Sequence, residues 1–249
     1  MIDGLTVPAT PRFNACALIA CLDGAATIDA VLTATYEHID TIIVVDDGST
    51  DDSGARSSKA GAIVVTHTRN RGKGAALLTG LQRAAELGFD HCVTLDADGQ
   101  HDPSDIVGLL DTARAHPDAL VIGARDFDTE NVPGSSVFGR NFSNFWVRLE
   151  TGQDPTDTQS GFRVYPVRHT LDLKVKPSRF QWEVEVIVRA AWAGLSVVDH
   201  PVSVYYPPPE KRISHYRSWA DSTLISLMHC RLVARWMTLP ILRPRQLVR

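Results

Sequence analysis

Two acidic segments carry the residue types that phosphate and metal chemistry needs. Asp46-Asp47-Gly48-Ser49-Thr50-Asp51 follows the apolar run TIIVV, and Asp96-Ala97-Asp98-Gly99-Gln100-His101-Asp102 follows HCVTL. If residues 96–100 continue extended, alternate side chains project to one face, and Asp96, Asp98 and Gln100 present three oxygen donors together. Mg2+ or Mn2+ takes such oxygens, keeps several waters, and is held by one or two carboxylates plus substrate phosphates. A diphosphate would complete that shell. A lone DxD also describes a turn of solvated aspartates, so its weight comes from its surroundings.

The first of these surroundings is Asn70-Arg71-Gly72-Lys73-Gly74, a glycine-flanked lysine where a helix is predicted to start. Backbone N–H groups and the helix dipole favour an anion there, which makes Lys73 a candidate phosphate contact, although the GxxxxGK[ST] spacing of a P-loop is missing. A hydroxyl acceptor would need a carboxylate base within hydrogen-bond reach, and Glu183, Glu185 and Asp157 are the candidates. A phosphate acceptor needs none. The plainer readings are that Glu183 and Glu185 are solvated residues of a helix and that Asp157 and Ser160 shape a turn. His101 and His215 are of metal-ligand type, but isolated histidines are more often ordinary surface or core residues.

The elements that must position these residues alternate in type. Apolar β-branched runs at CALIA, TIIVVDD, AIVVTH, HCVTLDAD and ALVIGAR are separated by helical patterns, such as Lys73 to Leu87 and the stretch that begins at Pro103. Fully apolar strands between helices predict a mostly parallel sheet covered on both faces, a doubly wound α/β fold that binds ligands beyond the carboxyl ends of its strands. From Asn131 the chain becomes rich in aromatics, with helices predicted at Phe138 to Thr151 and from about Gln181 to Ala193, on either side of TGQDPTDTQSG. The predicted organisation is a flexible N-terminus at 1–12, an α/β domain at 13–206, and a basic loop with an amphipathic helix at 207–249.

Composition narrows the function classes. A chain of 249 residues buries roughly 70 to 75% of its unfolded surface, so it needs no metal or disulfide staple to fold. A formal net charge of -4 argues against a nucleic-acid binder that relies on bulk positive charge. Four cysteines without a CxxC pair, and no basic-then-apolar leader, predict a cytoplasmic protein. No run of about 18 apolar residues is present to cross a bilayer. From Glu210 onward, eight basic and two acidic residues accompany Leu224, Ile225, Met228, Leu232 and Trp236 at helical spacing. That helix is predicted either to lie on an anionic membrane surface or to pack its stripe on the core.

In order, DDGSTD, NRGKGAAL, LDADGQHD, GAR and SGFR resemble the family 2 glycosyltransferases of GT-A fold, in particular the dolichyl or polyprenyl phosphate mannosyltransferase-like branch, from about Ala15 to Tyr206. The resemblance implies that Asp46 and Asp47 contact the nucleoside, and that Asp96, Ala97 and Asp98 grip the sugar-nucleotide diphosphate through metal, with Gln100 as a further ligand. It likewise implies that Arg125 and Arg163 face substrate and that Arg212, Ser214 and Arg217 belong to a basic loop closing over the diphosphate. One departure stands out. The family's Pro-x-Tyr-Asn-Glu after the first strand is replaced by Ala20-Cys21-Leu22-Asp23-Gly24, so the segment that helps seat the base differs.

The expected function is inverting transfer of a hexose from a UDP- or GDP-sugar, with Mg2+ or Mn2+, to a polyprenyl phosphate or another membrane-proximal glycan acceptor at the inner face of the membrane. The charge that develops on the nucleotide leaving group would be stabilised by metal and arginines, and Asp98 is the residue expected to be indispensable. Two other readings fit parts of the sequence. A sugar nucleotidyltransferase also combines an α/β sheet with metal-bound carboxylates, although its glycine-rich basic N-terminal loop is absent. An inactive family member acting as a membrane-associated scaffold would explain the altered residues 20–24.

Overall fold

The structure, a computed structural model, describes residues 13–126, 134–206 and 218–238. Its seven strands are β1 (Ala15–Cys21), β2 (Ile42–Asp46), β3 (Ile63–Thr66), β4 (His91–Asp96), β5 (Leu120–Arg125), β6 (Arg163–Pro166) and β7 (Val197–Val202). They form one sheet in the order β3-β2-β1-β4-β6-β5-β7. All neighbours are parallel except β6, which runs antiparallel to both β4 and β5. The five strands expected from the apolar runs are present. β6 and β7 are additions, because RVYP is short and VVDHPV is broken by polar residues. β7 lies at the sheet edge, where strands tolerate a proline such as Pro201.

Eight helices flank the sheet among the described residues: α1 (Ile28–Tyr36), α2 (Ser53–Lys59), α3 (Lys73–Glu86), α4 (Ile106–Ala115), α5 (Gly134–Thr151), α6 (Val167–Asp172), α7 (Gln181–Trp192) and α8 (Ser218–Thr238). The central strands are apolar throughout because both of their faces are covered. Cys16, Leu18, Ile43 and Val45 point to one core with α3, α7 and α8. Ala17, Ile19, Ile42 and Val44 point to the other, with α1 and α4. Helix α3 comes very close to the sheet: a Cβ on Gly80 would stand 2.1 Å from Leu18 Cδ1.

The stripe predicted for the C-terminal helix resolves in favour of the core. Ile225, Met228 and Leu232 of α8 are buried in the same cluster as α3 and α7, so they are not available to a membrane surface. His229, also fully buried, bonds Glu150 of α5 at 3.0 Å and stacks on Trp146. The side chain of Trp236 lies outside the described residues. Leu224 of the same stripe is exposed, as are Leu227 of α8 and Phe138, Phe145 and Leu149 of α5.

Candidate active site

Parallel pairing places the acidic segments side by side. Cys21 of β1 is in register with Asp46 of β2, and Ala20 with Asp96 of β4. Both carboxylates therefore end strands that flank β1, where an open parallel sheet binds ligands. Ala20 and Cys21 are successive residues, so Asp46 and Asp96 point to opposite faces. Asp46 turns toward α2: it accepts from Ser49 N at 2.9 Å and lies against Gly54, where a Cβ would sit 2.5 Å from its Oδ2.

Asp47 takes the α3 side with Asp96, but its oxygens serve the protein. They accept from Arg71 N at 2.9 Å and Gly72 N at 2.7 Å, and Asp47 Oδ1 meets His67 Nδ1 at 2.6 Å. His67 continues to Thr79 Oγ1 at 3.0 Å. This buried Asp–His pair fixes the loop that starts α3. Gly72 enters the helix at φ +94°, a conformation open to glycine. The following Gly74 lies where a Cβ would stand 2.3 Å from Ser178 O and Trp182 Cβ. His67 had no motif to mark it, being a single histidine after a strand.

That anchoring delivers Lys73 to the centre of the site. Its Nζ is 2.6 Å from Asp96 Oδ1 and 3.3 Å from Glu183 Oε2. Burial favours loss of the lysine proton, but the charges of Asp96 and Glu183 outweigh it and hold the ammonium charged. Glu183 Oε1 is buried without a hydrogen-bond partner among the described residues. Gly161 closes the pair from the side: a Cβ there would stand 2.7 Å from both Lys73 Nζ and Asp96 Oδ2. SGFR is thus glycine at this position for a steric reason that the sequence did not show.

Strand β6 brings that loop to the site. Because β6 is antiparallel to β4, its first residues lie beside the end of β4, with Thr94 opposite Arg163 and Thr94 Oγ1 donating to Gly161 O at 2.7 Å. Asp157, at the start of the loop, is fully buried and accepts from Arg125 Nε at 2.6 Å and Nη2 at 3.0 Å. It is the counter-ion of Arg125, which corrects its reading as a base.

Two more expectations are corrected by burial. Arg163 is 0% exposed and donates to the carbonyls of Ser160 (2.7 Å), Thr158 (2.9 Å) and Glu183 (2.7 Å). It ties the loop to α7 and offers no surface to a substrate. Glu185 faces away from Lys73 and is held by Arg189 at 2.7 Å and by Arg231 of α8, so it belongs to helix packing. Of the three carboxylates considered as bases, only Glu183 meets Lys73, whereas Asp157 meets Arg125 and Glu185 meets Arg189 and Arg231. Arg212, Ser214, His215 and Arg217 lie outside the described residues.

The DxD segment turns after Asp96 instead of continuing extended, with Gly99 at φ +74°. Gln100 comes back onto Asp98, donating from its backbone N at 3.0 Å and from Nε2 at 2.9 Å. Ala97 presents its backbone carbonyl to Thr27 Oγ1 at 2.6 Å. His101 stacks on Phe162, and its Nδ1 accepts from Asp96 N at 3.2 Å. Burial pulls its pKa down to about 4, so the ring is neutral near pH 7 with its proton on Nε2.

The altered loop after β1 is built into the same edge. Asp23, at φ +49°, accepts from Thr50 N at 2.7 Å, while Asp23 N donates to Ser49 Oγ and Gly24 N to Ser53 Oγ. DDGSTDDS and residues 23–24 therefore hold each other in place.

The donor set suits a hard cation. Asp96, Asp98 and Gln100 offer oxygens only, and after burial the charge of Asp96 is the next cause that pushes the Asp98 carboxyl up to about 6. A cation between them would relieve that repulsion. Among the described residues no three His, Cys, Asp or Glu side chains converge as a metal-holding group.

Comparison with known proteins gives the family. A model of the family described as "Glycosyl transferase family 2" matches residues 17–169. The UDP-N-acetylglucosamine--dolichyl-phosphate N-acetylglucosaminyltransferase of Methanococcus voltae is 30% identical over 191 residues, covering 68% of this chain and 76% of that protein. The polyprenol monophosphomannose synthase of Mycolicibacterium smegmatis is 33% identical over 181 residues, covering 65% of each. Among solved structures, glucosyl-3-phosphoglycerate synthase from Mycobacterium tuberculosis in complex with Mn2+ and UDP-glucose superposes with a TM-score of 0.66 at 20% identity, covering 88% of this chain and 80% of that one.

Proposed function

The chain belongs to glycosyl transferase family 2 and has the GT-A fold, and on that premise we propose that it moves a hexose from a nucleotide diphosphate sugar to a polyprenyl phosphate, with inversion at the anomeric carbon. The observation that carries the reading is the cluster of Asp96, Lys73 and Glu183 around Gly161, beside Arg125 and the Asp98 turn. These residues gather at the carboxyl ends of the parallel strands, where such a sheet binds ligands.

In this reading an acceptor phosphate oxygen attacks the anomeric carbon from the face opposite the nucleotide. The bond from that carbon to the donor's phosphate oxygen breaks, and its electron pair leaves with the nucleoside diphosphate. Lys73 and Arg125 meet the charge that develops there, fixed in advance by Asp47 and Asp157, so little reorganisation is needed. The family resemblance adds Arg212, Ser214 and Arg217, which lie outside the described residues, to this set. Mg2+ or Mn2+, held by Asp96, Asp98 and Gln100, would supply further neutralisation of the leaving group.

A phosphate acceptor also suits the carboxylates. Asp157 and Glu185 are bound by arginines, and Glu183 is engaged by Lys73. An anionic acceptor needs no base. The names of the Methanococcus and Mycolicibacterium relatives point to the same acceptor class. The exposed Phe138, Phe145 and Leu149 of α5 are consistent with work at a lipid surface.

The test is incubation of the protein with UDP- or GDP-hexose, Mn2+ and a polyprenyl phosphate, measuring glycolipid and free nucleoside diphosphate. Asp98→Ala is expected to abolish transfer and metal-dependent nucleotide binding while its circular dichroism stays native. Full activity in that variant would overturn the mechanism, and pyrophosphate release from a nucleoside triphosphate plus sugar phosphate would replace it with nucleotidyl transfer.

A further inference from the structure

The Lys73 ammonium is held between two carboxylates of the site. It sits 2.6 Å from Asp96 Oδ1 and 3.3 Å from Glu183 Oε2 with its side chain 16% exposed. Three features keep it there. Asp47 pins the preceding backbone through Arg71 N and Gly72 N, Gly74 lets the helix start approach Ser178 and Trp182, and Gly161 leaves room for the ion pair where a Cβ would crowd both of its members. The same Asp96 is the first carboxylate of the DxD segment. A divalent cation arriving there meets an oxygen already committed to a lysine and a positive charge at contact range.

We propose that Lys73 is the built-in counter-ion of this carboxylate cluster, holding the cation's place beside Asp96 and Glu183 in the free protein, so that a divalent cation binds weakly alone and tightly only together with a nucleotide diphosphate. The physical reason is charge balance. Two cations at one carboxylate repel strongly in a part-buried site, whereas a diphosphate adds negative charge and gives Lys73 a second partner. Lys73 is then a positioning residue that couples cation binding to donor binding. The inference rests on the glycosyltransferase reading and adds an order to it: nucleotide and cation enter as one unit.

Mn2+ binding, followed by the electron paramagnetic resonance signal of free Mn2+, tests this without any turnover. Wild type, Lys73→Met and Lys73→Arg are titrated with Mn2+ alone and with UDP or GDP, after thermal melts establish that each is folded. Wild type and Lys73→Arg are expected to bind Mn2+ weakly alone and much more tightly with nucleotide. Lys73→Met is expected to bind Mn2+ alone about tenfold or more tightly than wild type, because the competing charge is gone, and to lose most of the nucleotide enhancement. Lys73→Gln, uncharged but still able to hydrogen-bond Asp96, gives the same gain and replaces Lys73→Met should that variant fail to fold. If wild type binds Mn2+ with nucleotide but neither uncharged variant binds it more tightly alone, the role of Lys73 is overturned and the proposed function stands. If wild type binds no Mn2+ with either nucleotide, the metal-assisted reading and this inference fall together.

Discussion

Asp96 and Asp98 stand two residues apart on one turn, and the protein holds their protons at opposite ends of the carboxylate range. For Asp96 burial favours the neutral form, but the charge of Lys73, then that of His101, brings the pKa down to about 2. For Asp98 burial comes first and the charge of Asp96 second, and together they push it up to about 6. The consequence for stability has a definite sign. Above the ordinary aspartate value the folded protein holds the Asp98 proton more tightly than the unfolded chain does, so this group destabilises the fold as pH rises toward 6, and the full cost remains at pH 7. At about 1.4 kcal/mol per pKa unit the cost is on the order of 1 to 3 kcal/mol. Asp98→Asn is therefore expected to raise the melting temperature of the metal-free protein by a few degrees near pH 7, with the gain vanishing near pH 4. Thermal denaturation of variant and wild type at the two pH values checks this, and an equal gain at both would refute it. The acidic pair was visible in the sequence as residue types at a spacing. The unequal protonation was not, because it depends on Lys73, which reaches Asp96 across 23 residues of sequence.

Helix α8 and strand β6 show what happens at the scale of elements. The apolar spacing of α8 was legible, but spacing identifies a stripe without saying what covers it. Here Ile225, Met228 and Leu232 enter the central core, and Arg231 on the same helix reaches Glu185 of α7. Leu232→Ala is expected to destabilise the protein by about 2 to 5 kcal/mol, as for other buried leucines. Leu227→Ser, at a position 60% exposed, is expected to change stability by no more than about 0.5 kcal/mol. Urea unfolding of the two variants distinguishes a core helix from a surface one, and similar midpoints would argue against the packing described. β6 was not expected at all. Its four residues carry little periodicity, yet its antiparallel direction carries the loop with Asp157 and Gly161 to the end of β4.

At the scale of the molecule, the sheet order gathers residues from the whole length of the chain onto one edge. Asp46 and Asp96 end the strands on either side of β1, Lys73 arrives from α3, Arg125 from the end of β5 and Glu183 from α7. A site assembled from so many elements exists only in the folded state, so a ligand that fills it stabilises the whole fold. A saturating donor at about 100 times its dissociation constant contributes roughly 2.7 kcal/mol, which corresponds to a rise of several degrees in melting temperature for a chain of this size. A panel of UDP-, GDP- and CDP-sugars with Mn2+ is expected to show that rise for one base, with EDTA reversing it; no shift with any member would count against a nucleotide-sugar site. The chain's amino-acid order by itself determined the α/β architecture, the five parallel strands and the acidic loops that end two of them, because local hydrophobic periodicity and turn residues specify those features directly. Only the tertiary structure decided that Asp47, Asp157, Arg163 and Glu185 are occupied by internal partners while Asp96, Lys73 and Glu183 share one site. A side chain's partner is set by strand register and loop placement, which depend on contacts far apart in the chain.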